Sequence, residues 1–139
     1  AEEGREMIES GVMEIQSHTY DLHQWADYEE SGTARDTVLR IEGESESDYM
    51  TMMNEDCARE RETIETGMGG TVHAISYPHG DYDDLAAVMM SENGFDMSFT
   101  VNKGINVLIK GIGQSMLALK RNNADTQTTN EELLAAIAG

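Results

Sequence analysis

Three times along this chain a helical pattern stops at a glycine and a short run of β-forming residues follows at once. "REMIESG" precedes "VMEIQSH", "SDYMTMMNEDCARERETIETGMGG" precedes "TVHAISYP", and "YDDLAAVMMSENG" precedes "FDMSFTV". Glycine just past a helix end supplies the left-handed residue that closes it. A repeated helix–strand order selects parallel strands joined by right-handed crossovers, an α/β class. The strands are short and mostly apolar, which predicts a sheet covered on both faces. In the long middle helix, Tyr49, Met53, Cys57 and Ile64 line one face, while acids and arginines cover the other. Three strands are too few to close a barrel, and a (β/α) barrel takes roughly 250 residues. The pattern leaves a small open sheet and a part of a barrel as the two architectures.

The remaining segments add less. "QWADYEESGTARDTVLRIEGESES" is polar with little period and is expected to run as an excursion over the strand ends, "ESESD" being a solvated helix start. The tail ends in a helix that Thr129 or Asn130 caps, with Glu131 and Glu132 in its first turn. The opening "AEEGREMIESG" has the character of a helix interior. Residues 1–139 are therefore expected to be one domain that begins inside a longer one.

Charge excludes whole classes of partner. The formal net charge is −18, with 27 acids against 9 lysines and arginines, so the surface repels phosphate backbones and anionic lipid headgroups. Nucleic acid is excluded as a partner, and the acidity is read as solvated faces. No apolar run reaches the length of a transmembrane segment, and no signal-peptide pattern stands at the start. Cys57 is the single cysteine, so no intrachain disulfide forms, and its helical setting predicts an inert thiol.

The chemistry-bearing residues fall just after the strands. His18 and His23 bracket "SHTYDLH", five residues apart. That spacing sets two rings about 140° apart on a helix and on opposite faces of a strand. The rings converge only if the chain leaves the strand at His18 and turns. "SYPHG" follows the second strand and "TVNKGIN" the third. In parallel α/β architectures that edge is where sites are built. From the residues alone, the pair is either a metal site or two rings hydrogen-bonded in a loop. Trp25 and Tyr28 are either a sugar-stacking wall or packing within the excursion. Asp21 is a turn residue, His73 a packed or edge histidine, and Asp83–Asp84 the acidic first turn of a helix.

"EIQSHTYDLH", "AISYPHGDYDD" and "GFDMSFTVNKGIN" together resemble the NodB-type polysaccharide deacetylases, carbohydrate esterase family four. The His spacing is most similar to the poly-N-acetylglucosamine deacetylase branch. The resemblance implies a partial irregular (β/α) barrel with parallel strands alternating with helices. It implies that His18 and His23 hold a divalent metal, Zn²⁺ or another such as Co²⁺ or Ni²⁺, suited to neutral imidazole. The "YPHG" turn matches the family's "PYG" loop, so the backbone N–H of His79 would face an oxyanion, with Tyr77, Pro78 and Trp25 on the substrate side. Three family features have no counterpart. Ser76 and Tyr77 stand where an arginine is expected, "INVLIKGIG" lacks the acid histidine, and the Asp-Asp pair that supplies base and third ligand is not in the chain.

The function implied is a metal-dependent hydrolase that removes N-acetyl or O-acetyl groups from an amino-sugar polysaccharide. Poly-N-acetylglucosamine, chitin and peptidoglycan are the candidate substrates, in a bacterial extracellular or cell-envelope setting. A fragment without the upstream aspartates is expected to be inactive. The alternative is a non-catalytic carbohydrate-binding or structural module on the same barrel. An incomplete barrel leaves strand edges uncovered, so a homo-oligomer is also expected.

Overall fold

The computed structural model describes residues 2–28 and 34–138, so the 29–33 stretch of the excursion lies outside the described residues. Helix α1 spans Glu2–Glu9 and is followed by Gly11 at φ +69°, as the glycine stop predicted. Helix α2 spans Glu46–Arg61 and continues through a π-helical turn, Glu62–Thr66. Ser45 caps α2 by accepting from the Asp48 N–H at 3.1 Å. Helix α3, Asp84–Glu92, is capped by Asp83, whose Oδ1 accepts from the Ala86 N–H at 2.8 Å. Helix α4, Asn130–Ala138, opens with a reciprocal capping box. The Thr129 N–H donates to Glu132 Oε2 at 2.8 Å, and the Glu132 N–H donates to Thr129 Oγ1 at 3.2 Å.

Strands β1 (Ala74–Ser76) and β2 (Met97–Phe99) pair in parallel, with Ile75 opposite Ser98. The strand expected before His18 contracts to one parallel bridge, Ser17 with Ile75, made by Ser17 N–H to Ala74 O at 3.0 Å and Ser76 N–H to Ser17 O at 2.9 Å. A fourth parallel segment, within the tail "SMLALKRNN", joins the other side through Leu119 opposite Phe99. It lies outside the helix–glycine–strand repeat and follows only a short 3₁₀ turn, Gly113–Met116. The segment before it, Ile105–Ile112, is apolar but mostly exposed.

Helices α2 and α3 cover one face of the sheet. Tyr49, Met53 and Cys57 of α2, with Ala86, Met89 and Met90 of α3, pack with Ile75 and Phe95 into one core. Ile64, in the π-helical turn, joins them, so the predicted apolar face of the long helix is the observed one. The opposite face departs from the expectation of full cover. Among the described residues it is open and borders a cleft of about 580 Å³ lined by Gln16, His18, Ala74, Ser76, Phe99 and Arg121. The alternation of the strands fits the asymmetry: Ile75, which also borders the cleft, belongs to the core cluster with the helices, whereas Ala74 and Ser76 border the cleft and lie outside that cluster.

Two further expectations are corrected. Asp56 and Glu60 of α2, assigned to the solvent side, are buried. The excursion, taken to lie over the surface, sends Val38 into the core, where the Tyr49 hydroxyl donates to its carbonyl at 2.7 Å. Arg35 is buried beside it, paired with Glu44 and donating to Leu39 O at 2.7 Å.

Cys57 lies within this core, and burial pushes its thiol up to about 12, with the neighbouring Asp56 and Glu60 charges adding to the shift. The thiolate, the reactive form, is absent at neutral pH. Native protein at pH 8 is therefore expected to resist iodoacetamide and to be labelled at Cys57 only after unfolding in urea. Rapid labelling of the folded chain would contradict this.

Candidate metal centre

The site is built on the loop that follows Ser17, and two buried carboxylates of α2 shape that loop. Glu60 accepts from the Ser17 hydroxyl and from the His18 N–H at 3.2 Å. One turn earlier, Asp56 accepts from the N–H groups of Tyr20 and Asp21 at 3.0 and 2.8 Å. Between these bonds Thr19 adopts φ +71°, the left-handed region that a β-branched residue avoids at a cost of about 1–2 kcal/mol. The chain thus leaves its strand at His18 and turns, as the five-residue spacing required. Burial raises both carboxyl groups above their ordinary range, and the hydrogen bonds they accept pull in the opposite direction.

The loop brings the histidines together. His18 Nδ1 lies 2.6 Å from Ser76 O at the end of β1. A carbonyl oxygen only accepts, so Nδ1 carries the proton and Nε2 keeps its lone pair. The His18 and His23 rings are 5.4 Å apart, centroid to centroid, and nearly perpendicular at 83°. His23 meets the ring of His79 at 4.6 Å and 82°. Asp36 completes the group, with Oδ1 2.6 Å from His23 Nδ1 and Oδ2 3.1 Å from His79 Nε2. Donor atoms of His23, Asp36 and His79 lie within 4.8 Å of one another. The hydrogen bond from His23, then the one from His79, hold the exposed Asp36 carboxyl below the usual aspartate range.

His79 arrives from the "YPHG" turn. Tyr77 N–H donates to Phe99 O at 3.0 Å, which fixes the turn to the end of β2. Gly80 N–H to Tyr77 O at 2.9 Å and Asp81 N–H to Pro78 O at 3.0 Å close it. His79 has φ +55° and Gly80 φ +78°. A Cβ on Gly80 would lie 2.6 Å from the Val101 backbone nitrogen, so that position admits only glycine. The His79 N–H donates to none of the described residues.

Of the residues singled out in the sequence, His18, His23 and His79 come together on one rim. Pro78 and the Tyr77 ring are buried beneath the turn, and Tyr77 stacks on Tyr82 at 5.1 Å. Trp25 is 72% exposed, so little of its ring is packed. Tyr28 lies in a short 3₁₀ turn, Ala26–Tyr28. Asp36 is the residue that sequence reasoning missed. It is one acid among many in an aperiodic stretch, and only the folded path of the excursion returns it to His23. The sole available cue was its position within a segment expected to cross the strand ends.

Residues 1–98 match the family model described as polysaccharide deacetylase. The chain belongs to the polysaccharide deacetylase family. Among solved structures it is similar to the de-N-acetylase from Aggregatibacter actinomycetemcomitans, with 24% identity and a TM-score of 0.75 over 97% of this chain and 52% of that one. IcaB from Ammonifex degensii aligns with 22% identity and a TM-score of 0.66, over 98% of this chain and 51% of that one. The BpsB deacetylase domain from Bordetella bronchiseptica gives 24% and 0.57, over 72% and 40%. The chain thus spans about half the length of the first two. No curated protein matches it. These likenesses bear on the fold, a mixed α/β arrangement of parallel strands and helices.

Removing the Asp56 carboxylate strands two backbone donors in a part-buried loop. Asp56→Ala is expected to lower unfolding free energy by about 2–3 kcal/mol, and Asp56→Asn by less, because one amide oxygen still accepts. Urea denaturation measures both. Equal losses for the two variants would show that the backbone bonds are not the source.

Proposed function

We propose that this chain carries the metal-holding part of a hydrolase that removes N-acetyl, or O-acetyl, groups from an amino-sugar polysaccharide. The observation that carries the reading is the convergence of His18, His23 and His79 at the C-terminal ends of parallel strands in a member of this family. The donor set fits a borderline cation such as Zn²⁺, Co²⁺ or Ni²⁺. His18 offers a lone pair on Nε2 with its other nitrogen already bonded, and His23 stands beside it. A divalent metal held by His18 and His23 would polarise the acetyl carbonyl and acidify a water molecule.

The chain's own groups supply the rest of the proposed chemistry. The His79 N–H, which meets no acceptor among the described residues, would donate to the carbonyl oxygen as negative charge develops there. Trp25, two residues after His23 and mostly exposed, offers a flat apolar face to a pyranose ring. The buried Tyr77 and Pro78 contribute by holding the turn rather than by touching sugar. The open cleft beside His18 suits a polymer that lies across the rim. The same reading includes a (β/α) barrel in the whole protein, a bacterial extracellular or envelope setting, and pairing of the open sheet with further strands or a second copy. No helix among the described residues is long and apolar enough to cross a membrane.

A second reading, a non-catalytic carbohydrate-binding or structural module, draws on the lack of any histidine in "INVLIKGIG" and on Ser76 and Tyr77 standing where an arginine is expected. Calorimetric titration with Zn²⁺ separates the two at their root. The unaltered chain is expected to bind one ion, and His18→Ala and His23→Ala are each expected to weaken binding at least about tenfold. No binding by the unaltered chain would overturn the metal reading. Glycan binding without release of free amine from metal-loaded protein would favour the module.

The stacking role of Trp25 has its own test. Trp25→Ala is expected to weaken binding of acetylated glucosamine oligomers several-fold while leaving unfolding free energy within about 0.5 kcal/mol, the range for surface substitutions. Unchanged oligomer affinity would remove Trp25 from the substrate path.

A further inference from the structure

Asp36 meets two imidazoles with one carboxylate. Oδ1 is 2.6 Å from His23 Nδ1, and Oδ2 is 3.1 Å from His79 Nε2. An ionised carboxylate only accepts hydrogen bonds, so the proton sits on Nδ1 in His23 and on Nε2 in His79. A neutral imidazole has a single N–H. His23 is therefore left with its lone pair on Nε2, and His79 with its lone pair on Nδ1. Imidazole side chains free in water favour the Nε2–H form, so His23 is held in the less common tautomer. His18 reaches that same tautomer by another route, through the Ser76 carbonyl.

The geometry also separates Asp36 from a direct ligand. Two atoms bound to one zinc at about 2.0 Å in tetrahedral array stand about 3.3 Å apart. At 2.6 Å, His23 Nδ1 and Asp36 Oδ1 leave no room for a shared ion, and both carboxylate oxygens are already occupied by ring nitrogens.

We propose that Asp36 is the positioning residue of this centre: its carboxylate fixes His23 with Nε2 free to bind the metal and ties the His79 ring to the same loop. The proposal rests on the metal role of His23 given above. It adds a residue outside the His spacing motif and outside the turn. It also explains why His79, in a strained backbone conformation, keeps a defined ring position. Second partners of this kind typically alter metal affinity by about 10–100-fold.

The test is long-range ¹H–¹⁵N correlation of the histidine rings in metal-free chain at a pH where they are neutral, paired with Zn²⁺ titration. In the unaltered chain, His18 and His23 are expected to carry the proton on Nδ1. In Asp36→Ala, His23 is expected to shift toward the Nε2–H form while His18 stays as it is, an internal control that the loop is folded. Zinc affinity is expected to fall about 10–100-fold, with partial recovery in Asp36→Glu. An unchanged His23 tautomer in Asp36→Ala overturns the proposal, even if zinc binding weakens, because Asp36 would then act as a ligand or through packing. Failure of the unaltered chain to bind zinc overturns the metal reading. The tautomer comparison, made without metal, is read separately and decides the effect of Asp36 on His23.

Discussion

The centre depends on two carboxylates that face inward from α2. Asp56 and Glu60 each accept two hydrogen bonds from the segment Ser17–Asp21, and four donors of one loop are met from a single helix face. The helix is itself fixed by Tyr49, Met53 and Cys57 in the core, so the loop inherits the rigidity of the best-packed element. Burying two like charges one turn apart is costly, and the upward displacement of both carboxyl groups reflects that cost. The return is a sharp change of direction at Thr19, where the loop's own bonds from Thr19 N–H to Ser17 Oγ and from Leu22 N–H to Thr19 Oγ1 add to those from the helix.

The sheet places the other components. Parallel pairing of the Ser17 segment, β1, β2 and the Leu119 segment sets successive strand ends on one rim. His18, the Tyr77–Gly80 turn and Thr100 all follow those ends, so residues far apart in the chain meet without a dedicated scaffold. The two faces of the sheet then have different tasks. Ile75 packs into the core with the helices, while the small side chains of Ala74 and Ser76 border the cleft beside His18.

Much of this was legible in the sequence, for identifiable reasons. Helix–glycine–strand order located α1, α2, α3, β1 and β2, because each ends in residues whose backbone preferences are local. The apolar face of α2 followed from periodicity. Asp56 and Glu60 did not, because an acid that caps a loop in space looks the same in sequence as one that faces water. His18, His23 and His79 were singled out by spacing and position, and the folded chain brings them together. Asp36 and the pairing of Leu119 with Phe99 were not legible because both arise from contacts to residues 13 and 20 positions away, which no local pattern marks. The likeness to deacetylase structures bears on the arrangement of strands and helices, whereas the centre rests on distances within this chain.

The left-handed conformation of His79 has a consequence for how the rim can change. Glycine or asparagine at that position would relieve backbone strain, but neither has a ring that can reach Asp36. Backbone shape and side-chain anchorage are thus requirements on one residue, and satisfying the first more cheaply forfeits the second. Position 79 is a point of compromise, where the direction of a peptide N–H and the orientation of an imidazole are inherited together or lost together.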